Sequence, residues 1–336
     1  MTDYRSAGVD LAGAERHVEA IRSLVTATWG PNIVGGFGGF AAGIELPEGL
    51  RRPVLMMSTD GVGTKLEIAR RLGIWDGVGY DLVAMCVDDL TAVGARPLGF
   101  VDYMAVGGLD PDRDTRVVGS IASACAAVGA ALVGGETAEH PGVMDRDAID
   151  LAGAALGVVE AGSEIIGERV EAGDLVVGLA SRNLRSNGFS LVRRVFGDGD
   201  WLSPFGTSTL GETVLEPSVL YSPSVLEAMA SGAVTGAAHI TGGGLPGNLG
   251  RPIPQGLSAR VDTTTWRPPD VFGHVQEVGG IERSDMFDAF NMGIGFCLIV
   301  RPGLMSDVIE PVAEHDPVVI GEIVEGQEPV VISDLQ

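Results

Sequence analysis

Apolar side chains recur at Val18, Ile21 and Val25, with Thr28 one turn further on, which is the 3.6-residue period of a helix over Ala14 to Thr28 that Pro31 terminates. The next stretch, Gly35-Gly-Phe-Gly-Gly-Phe-Ala-Ala-Gly43, carries too much glycine for either regular element and is expected as a mobile loop. Pro53 to Ser58 reads as a buried strand, followed by the turn Asp60-Gly-Val-Gly-Thr-Lys65 and a helix that stops before Gly73. Tyr80 to Val93 places Leu82, Cys86, Leu90 and Val93 on one helix face, and Leu98 to Val106 is a strand. Asp110-Pro111 supplies an N-cap and a first-turn proline for a helix to about Val128, and strands follow over Ala130 to Val133 and Leu151 to Val159.

From Ser163 to Gly173 the pattern turns charged and irregular, so the chain is expected to divide there, into domains 1–168 and 169–336. The second half predicts strands over Asp174 to Ser181, Ala237 to Thr241, Leu257 to Val261, Gly295 to Val300 and Val318 to Val324. Its helices are predicted over Phe189 to Val195, Ser224 to Met229, about Val271 to Val278 and Met305 to Ala313. Strands and helices mix in both halves without a strict βα repeat, which gives a two-domain mixed α/β (α+β) fold and no internal repeat.

Of the 336 residues, 45% are hydrophobic, enough to build cores and to exclude a disordered chain. The 45 acidic residues outnumber the 22 basic ones for a net charge of −23, which excludes the basic footprint of a nucleic-acid or anionic-membrane partner. Any bound anion must therefore be held locally, and the 50 glycines point to backbone as the material of the sites. Cys86, Cys125 and Cys297 are far apart among apolar neighbours and read as buried reduced thiols. The first ten residues contain no apolar core of a signal peptide, and Val117 to Gly135 reads as a buried helix and strand rather than a membrane span, so a cytoplasmic location is expected.

Lys65 is the single lysine of the chain, the other 21 basic residues being arginine. Kept directly after a glycine-rich turn, it suggests a role for a point charge that a planar guanidinium cannot fill; an inert surface lysine is the alternative. In either case it is expected to reach solvent and to add little stability. The turn lies at a helix start, where the N–H groups of Gly61, Gly63 and Thr64 can face phosphate, but it lacks the Ser or Thr after lysine of a Walker loop. Carboxylates at comparable places, Asp60, the pair Asp88 and Asp89, and Glu136 beside Thr137, suit magnesium on nucleotide phosphates; of the adjacent pair, about 100° apart on a helix, one faces the metal. Two turns of the second half, Ser186-Asn187-Gly188 and His239-Ile-Thr241-Gly242-Gly243-Gly244, suggest another anion site, with His239 as a reactive group or as an ordinary part-buried histidine. Residues 242–247 also match GxGxxG, but Pro246, Pro252 and Pro254 oppose the long helix a dinucleotide fold needs.

Taken in order, Ala7-Gly-Val-Asp10, Gly35-Gly-Phe-Gly-Gly39, Thr59-Asp-Gly-Val-Gly-Thr-Lys65, Asp81-Leu-Val-Ala-Met-Cys-Val-Asp-Asp-Leu90, Leu132-Val-Gly-Gly-Glu-Thr-Ala-Glu139, Ser186-Asn-Gly-Phe-Ser-Leu-Val-Arg193, His239-Ile-Thr-Gly-Gly-Gly244 and Phe290-Asn-Met-Gly-Ile-Gly295 resemble the phosphoribosylformylglycinamidine cyclo-ligase family, the aminoimidazole ribonucleotide synthetases of purine biosynthesis. The resemblance spans nearly the whole chain. It implies a homodimer whose N-terminal strands form a shared barrel, ATP and Mg²⁺ in the N-terminal domain, and formylglycinamidine ribonucleotide as substrate. By position it gives Asp60, Asp89 and Glu136 to the metal, and Gly35, Gly36, Gly38, Gly39, Asp60, Gly61, Gly63, Thr64, Lys65, Asp89, Glu136 and Thr137 to the nucleotide. Ser186, Asn187, Gly188, His239, Thr241, Gly242, Gly243 and Asn291 fall to the substrate side, and Lys65 and His239 to catalysis. Arg185 stands where the family usually has histidine, and Asp88 where it commonly has asparagine. Relatives of the same fold fit less well. A selenophosphate synthetase needs a reactive residue near its N-terminus, the hydrogenase-maturation relative a C-terminal cysteine, and thiamine-monophosphate kinase lacks the paired turns of the second half. A nucleotide-binding regulator without turnover is the alternative of another class.

Overall fold

A computed structural model describes residues 11–333, so the Ala7–Asp10 block lies outside the described residues. The described residues form two compact units, one of residues 11–90 and 97–160, the other of 91–96 and 161–333.

In the first unit, α1 (Leu11–Thr26) leads to two-residue strands β1 (Ile33–Val34) and β2 (Gly43–Ile44), which pair antiparallel and close the glycine-rich segment into a hairpin. Then come β3 (Pro53–Gly61), α2 (Lys65–Leu72), α3 (Val78–Ala92), β4 (Arg96–Val106), α4 (Pro111–Ala127), β5 (Ala131–Glu139) and β6 (Ile149–Glu160). The sheet order is β3-β6-β4-β5, with β3 antiparallel to β6 and β4 parallel to β5. Because that parallel ladder continues to Val106 opposite Glu139, β5 runs on through the glycine pair at which the apolar pattern stops. Helix α3 is buried on nearly every side, from Leu82 through Val87, as its lack of a polar face requires. The Asp110 side chain accepts hydrogen bonds from the N–H groups of Asp112 and Arg113, which fixes the start of α4. Helix α1 turns a different stripe inward from the one its pattern suggests: His17 and Val25 are buried, whereas Val18 is 44% exposed.

The second unit contains β7 (Leu175–Ala180), α5 (Phe189–Phe196), the short hairpin β8 (Pro204–Phe205) and β9 (Ser208–Thr209), α6 (Leu210–Leu215), α7 (Ser222–Ala230), β10 (Val234–His239) and α8 (Gly244–Leu249). It is completed by β11 (Leu257–Val261), α9 (Asp270–Gly279), α10 (Arg283–Ala289), β12 (Ile294–Val300), α11 (Met305–Ile309), β13 (Val318–Glu325) and β14 (Val330–Ile332). Its sheet order is β10-β12-β7-β13-β11-β14, antiparallel except for the last pair. Every residue of β12 is buried, so this strand is apolar throughout instead of alternating. Val177, Leu179, Phe296 and Leu298 form a core with Tyr221, Val225 and Val308. Pro246 lies in the first turn of the six-residue α8, and no long helix follows the GxGxxG match. Short elements absent from the expectation include the β8–β9 hairpin, α6, started by a Thr209–Glu212 capping box, α8, α10 and β14.

Candidate active site

Lys65 opens α2 and is completely buried, its Nζ 2.7 Å from Oδ2 of the equally buried Asp81 on α3. The expectation of a solvent-reaching ammonium is therefore corrected: apolar neighbours such as Leu66, Ile68 and Leu82 shield the pair, and desolvated charges persist only when matched in this way. Asp60, at the exposed end of β3, folds its carboxylate back onto the N–H of Gly61 at 2.7 Å, and Gly63 turns the chain into α2 with φ of 69°. Thr64, at the N-cap position, makes no side-chain capping bond.

Asp88 is fully buried, whereas Asp89 is half-buried and accepts a hydrogen bond from the Ser58 hydroxyl at 3.2 Å. Cys86 on the same helix directs its thiol at the Gly153 carbonyl, 3.4 Å away. Burial first, then the nearby charges of Asp60 and Asp89, push its thiol up to about 12, so it is an inert buried thiol at neutral pH. Burial likewise raises the Cys125 and Cys297 thiols. Glu136 lies on β5, at the opposite edge of the sheet from β3. Among the described residues, no three His, Cys, Asp or Glu side chains stand close enough together to hold a metal ion. The Asp60, Asp89 and Glu136 set is thus not gathered within one chain.

The structure does bring the glycine-rich hairpin and β5 together. Gly36, Gly38, Gly39, Glu136 and Thr137 share the lining of a recess of about 620 Å³. Two residues that sequence reasoning missed also line it, His17 and Asp102. Asp102 on β4 pairs with Gly135, where a Cβ would lie 2.3 Å from the Asp102 carboxylate, so glycine leaves the room this acid occupies. Its apolar surroundings raise the carboxyl to about 7. His17 meets the Thr137 hydroxyl at 3.2 Å through Nε2, and burial lowers its pKa against the opposing pull of Asp114. Both left a trace in the sequence. Asp102 interrupts an apolar strand, and His17 stands in register with Ile21 and Val25.

In the second unit the two turns meet. The Asn187 side-chain oxygen accepts a hydrogen bond from the Gly242 N–H at 3.0 Å. Asn248 pins the glycine turn by donating to the carbonyls of Thr241, Gly242 and Gly244, and the Thr241 hydroxyl donates to its side-chain oxygen. Gly188 starts α5 with φ of 76°, and a Cβ there would lie 2.2 Å from the Phe290 ring, so both the backbone and the packing demand glycine. His239, at the end of β10, is 5% exposed and stacks on Phe296. Asn291 is buried, donating to the Asn183 carbonyl and accepting from the Gly293 N–H, so its amide braces the loop scaffold. Ser186 stands between Arg185, which is fully buried, and Asn187.

The two-unit α/β chain, with glycine-rich turns at strand ends and carboxylates beside them, falls in the AIR synthase class by the family models it matches. The family model "AIR synthase related protein, N-terminal domain" matches residues 44–159, and "AIR synthase related protein, C-terminal domain" matches residues 171–334. Curated relatives called phosphoribosylformylglycinamidine cyclo-ligase include that of Thermosynechococcus vestitus, 49% identical with 89% of each chain covered. That of Sorangium cellulosum is 46% identical, covering 96% of this chain and 95% of the relative. The chain belongs to the phosphoribosylformylglycinamidine cyclo-ligase family. Among solved structures, the hydrogenase maturation protein HypE in complex with ATP has a TM-score of 0.69 at 20% identity, covering 97% of this chain and 93% of that one. Thiamine-monophosphate kinase from Stenotrophomonas maltophilia K279a has a TM-score of 0.68 at 19% identity, covering 94% of this chain and 96% of that one. At such identities the likeness is one of fold.

Proposed function

We propose that this chain closes the imidazole ring of 5-aminoimidazole ribonucleotide from formylglycinamidine ribonucleotide and ATP, as a cytoplasmic homodimer in purine biosynthesis. The observation that carries the reading is near-full-length identity of up to 49% to cyclo-ligases, together with the folding of the matching blocks into two sets of turns. In the reaction, the formamide oxygen attacks the γ-phosphorus of ATP, the bond to the β-phosphate oxygen breaks, and ADP leaves. The ribosyl-bearing nitrogen then attacks the formyl carbon, the C–O bond breaks, and phosphate departs with the former formyl oxygen. The ribosyl-bearing and formamide nitrogens each lose a proton, and a proton shifts from the ring CH₂ to the exocyclic imine nitrogen to give the aromatic aminoimidazole. Little covalent chemistry falls to the protein, whose work is positioning and charge neutralisation.

The glycine-rich hairpin and the turn of residues 60–65 offer backbone N–H groups to the triphosphate, which suits a chain of net charge −23. Lys65, held by Asp81, fixes the start of α2 where that turn ends. Asp60 and Asp89 carry the hard oxygen donors that magnesium takes, and Asp89 accepts a hydrogen bond from Ser58, two positions before Asp60 on the same face of β3, so these two would hold the ion. Magnesium, when bound, would neutralise triphosphate charge. The Ser186–Gly188 turn, Thr241, Gly242, Gly243 and His239 take the ribonucleotide.

Dimerisation is supported by one face of the first sheet. There Leu55 and Met57 of β3 are 52% and 75% exposed, and Val101 and Tyr103 of β4 are 42% and 43% exposed, an apolar surface suited to a second copy in a shared barrel. Incubation with ATP, Mg²⁺ and formylglycinamidine ribonucleotide tests the activity: one aminoimidazole product, one ADP and one phosphate are expected per turnover. ADP release without a cyclised product would end this reading and favour another phosphotransferase, whereas ATP binding with no ADP release would favour the regulator without turnover.

A further inference from the structure

Arg185 presents a contradiction if it is assigned to phosphate, for it is completely buried directly before the half-buried turn residues Ser186 to Gly188. It also holds φ of 57°, a left-handed conformation that costs a non-glycine residue about 1 kcal/mol and persists only where its surroundings enforce it. Those surroundings are defined. The Arg185 N–H donates to the Asn183 side-chain oxygen at 2.9 Å, and Nη1 donates to the Gly295 carbonyl at 3.3 Å, at the start of β12. The guanidinium carbon sits 4.9 Å from the centre of the Tyr221 ring.

Tyr221 is itself fixed, its hydroxyl donating to the Ala180 carbonyl at 2.8 Å. The Tyr221 ring packs on Phe296 with centroids 5.6 Å apart, and Phe296 stacks on His239 at 6.3 Å. A buried column Arg185–Tyr221–Phe296–His239 therefore runs beneath both turns of the second unit, and the Asn187–Gly242 hydrogen bond ties the same turns together above it.

We propose that Arg185 is a positioning residue for the ribonucleotide. It sets the left-handed entry to Ser186–Gly188 and, through the aromatic column, the placement of His239 at the other turn. The site uses a broad, delocalised group, since one guanidinium both lies 4.9 Å from the centre of the Tyr221 ring and reaches the Gly295 carbonyl through Nη1. A flexible ammonium has the charge without the plane. The inference rests on the assignment of the ribonucleotide to these turns.

Steady-state kinetics of R185A, R185H and R185K test it. R185A should raise the KM for formylglycinamidine ribonucleotide by about tenfold or more while the KM for ATP stays within about twofold. R185H, which restores a flat ring, should recover more of that loss than R185K. Recovery by R185K to the wild-type KM would show that charge alone matters and would overturn the proposal, as would equal rises in both KM values. Should R185A fail to fold, hydrogen–deuterium exchange on R185K gives the answer. Faster exchange at residues 186–188 and 242–244, with residues 66–72 unchanged, is expected, and unchanged exchange at both turns would refute the coupling. If the wild-type protein itself forms no cyclised product, the functional reading fails, while the exchange measurement still decides whether Arg185 holds the two turns.

Discussion

Lys65→Ala is the most informative perturbation, because stability and activity respond to different parts of the same residue. The substitution leaves the Asp81 carboxylate in a place with no solvent exposure. Breaking a buried ion pair from one side costs about 3–5 kcal/mol. An upper bound comes from protonation: neutralising an ordinary aspartate at pH 7 costs about 4 kcal/mol, so a stranded carboxylate takes up a proton before the penalty grows further. Three buried methylenes of the lysine stem add about 2 kcal/mol at 0.8 each. Urea unfolding should thus show a loss of about 5–6 kcal/mol for Lys65→Ala, smaller at acidic pH, where Asp81 is neutral in both folded and unfolded chains. The double variant Lys65→Met, Asp81→Leu removes both charges and fills the volume, and it should return to within about 2 kcal/mol of wild type while its cyclisation stays impaired. If Lys65→Ala unfolds within about 1 kcal/mol of wild type, the pair is not desolvated and the reasoning fails.

Three further outcomes follow. Asp102→Asn should stabilise the protein above pH 7: the buried carboxyl titrates near 7 against an ordinary value of 3.8, so wild-type stability falls as pH rises from about 4 to 7 and then levels. The full shift corresponds to about 4 kcal/mol, and partial solvent contact reduces the expected gain to about 2, readable from melting curves at pH 5 and pH 8. A gain no larger at pH 8 than at pH 5 would contradict it. Asp89→Asn should raise the magnesium concentration for half-maximal activity more than Asp88→Asn does, since Asp89 is half-buried and Asp88 fully buried; equal or reversed effects would show that the wrong carboxylate was chosen. If the proposed dimer pairs through this face, Met57→Glu, which puts a charge on a side chain 75% exposed in the single chain, should lower the sedimentation coefficient to that of a monomer, and an unchanged coefficient would contradict the shared barrel.

Much of the first unit was legible because its elements follow one period at a time. The run Pro53 to Ser58 became most of β3, though as a strand alternating between half-buried and exposed residues and not the buried one expected, while the Asp110-Pro111 signal opened α4 and the Gly73 stop ended α2 where it was expected. What failed to show locally was whatever depends on a distant partner. The glycines after Val133 look like the end of a strand until β4 pairs with them. Lys65 looks exposed until Asp81, sixteen positions later, turns out to face it from α3. The same limit applies to Arg185, whose neighbours in space are Tyr221 and Gly295. Asp102 is different, since a carboxylate inside the apolar run Leu98 to Val106 is the signal that singled out Asp88 and Asp89, and it could have been read in the same way.

The phosphorylated-formamide route makes a claim about one atom, and isotope transfer measures it. Formylglycinamidine ribonucleotide carrying ¹⁸O in its formyl group, turned over by the wild-type protein with ATP and Mg²⁺, should deliver that oxygen to inorganic phosphate, one labelled atom per phosphate formed. Cyclised product accompanied by unlabelled phosphate, with the heavy oxygen lost to water, would contradict it.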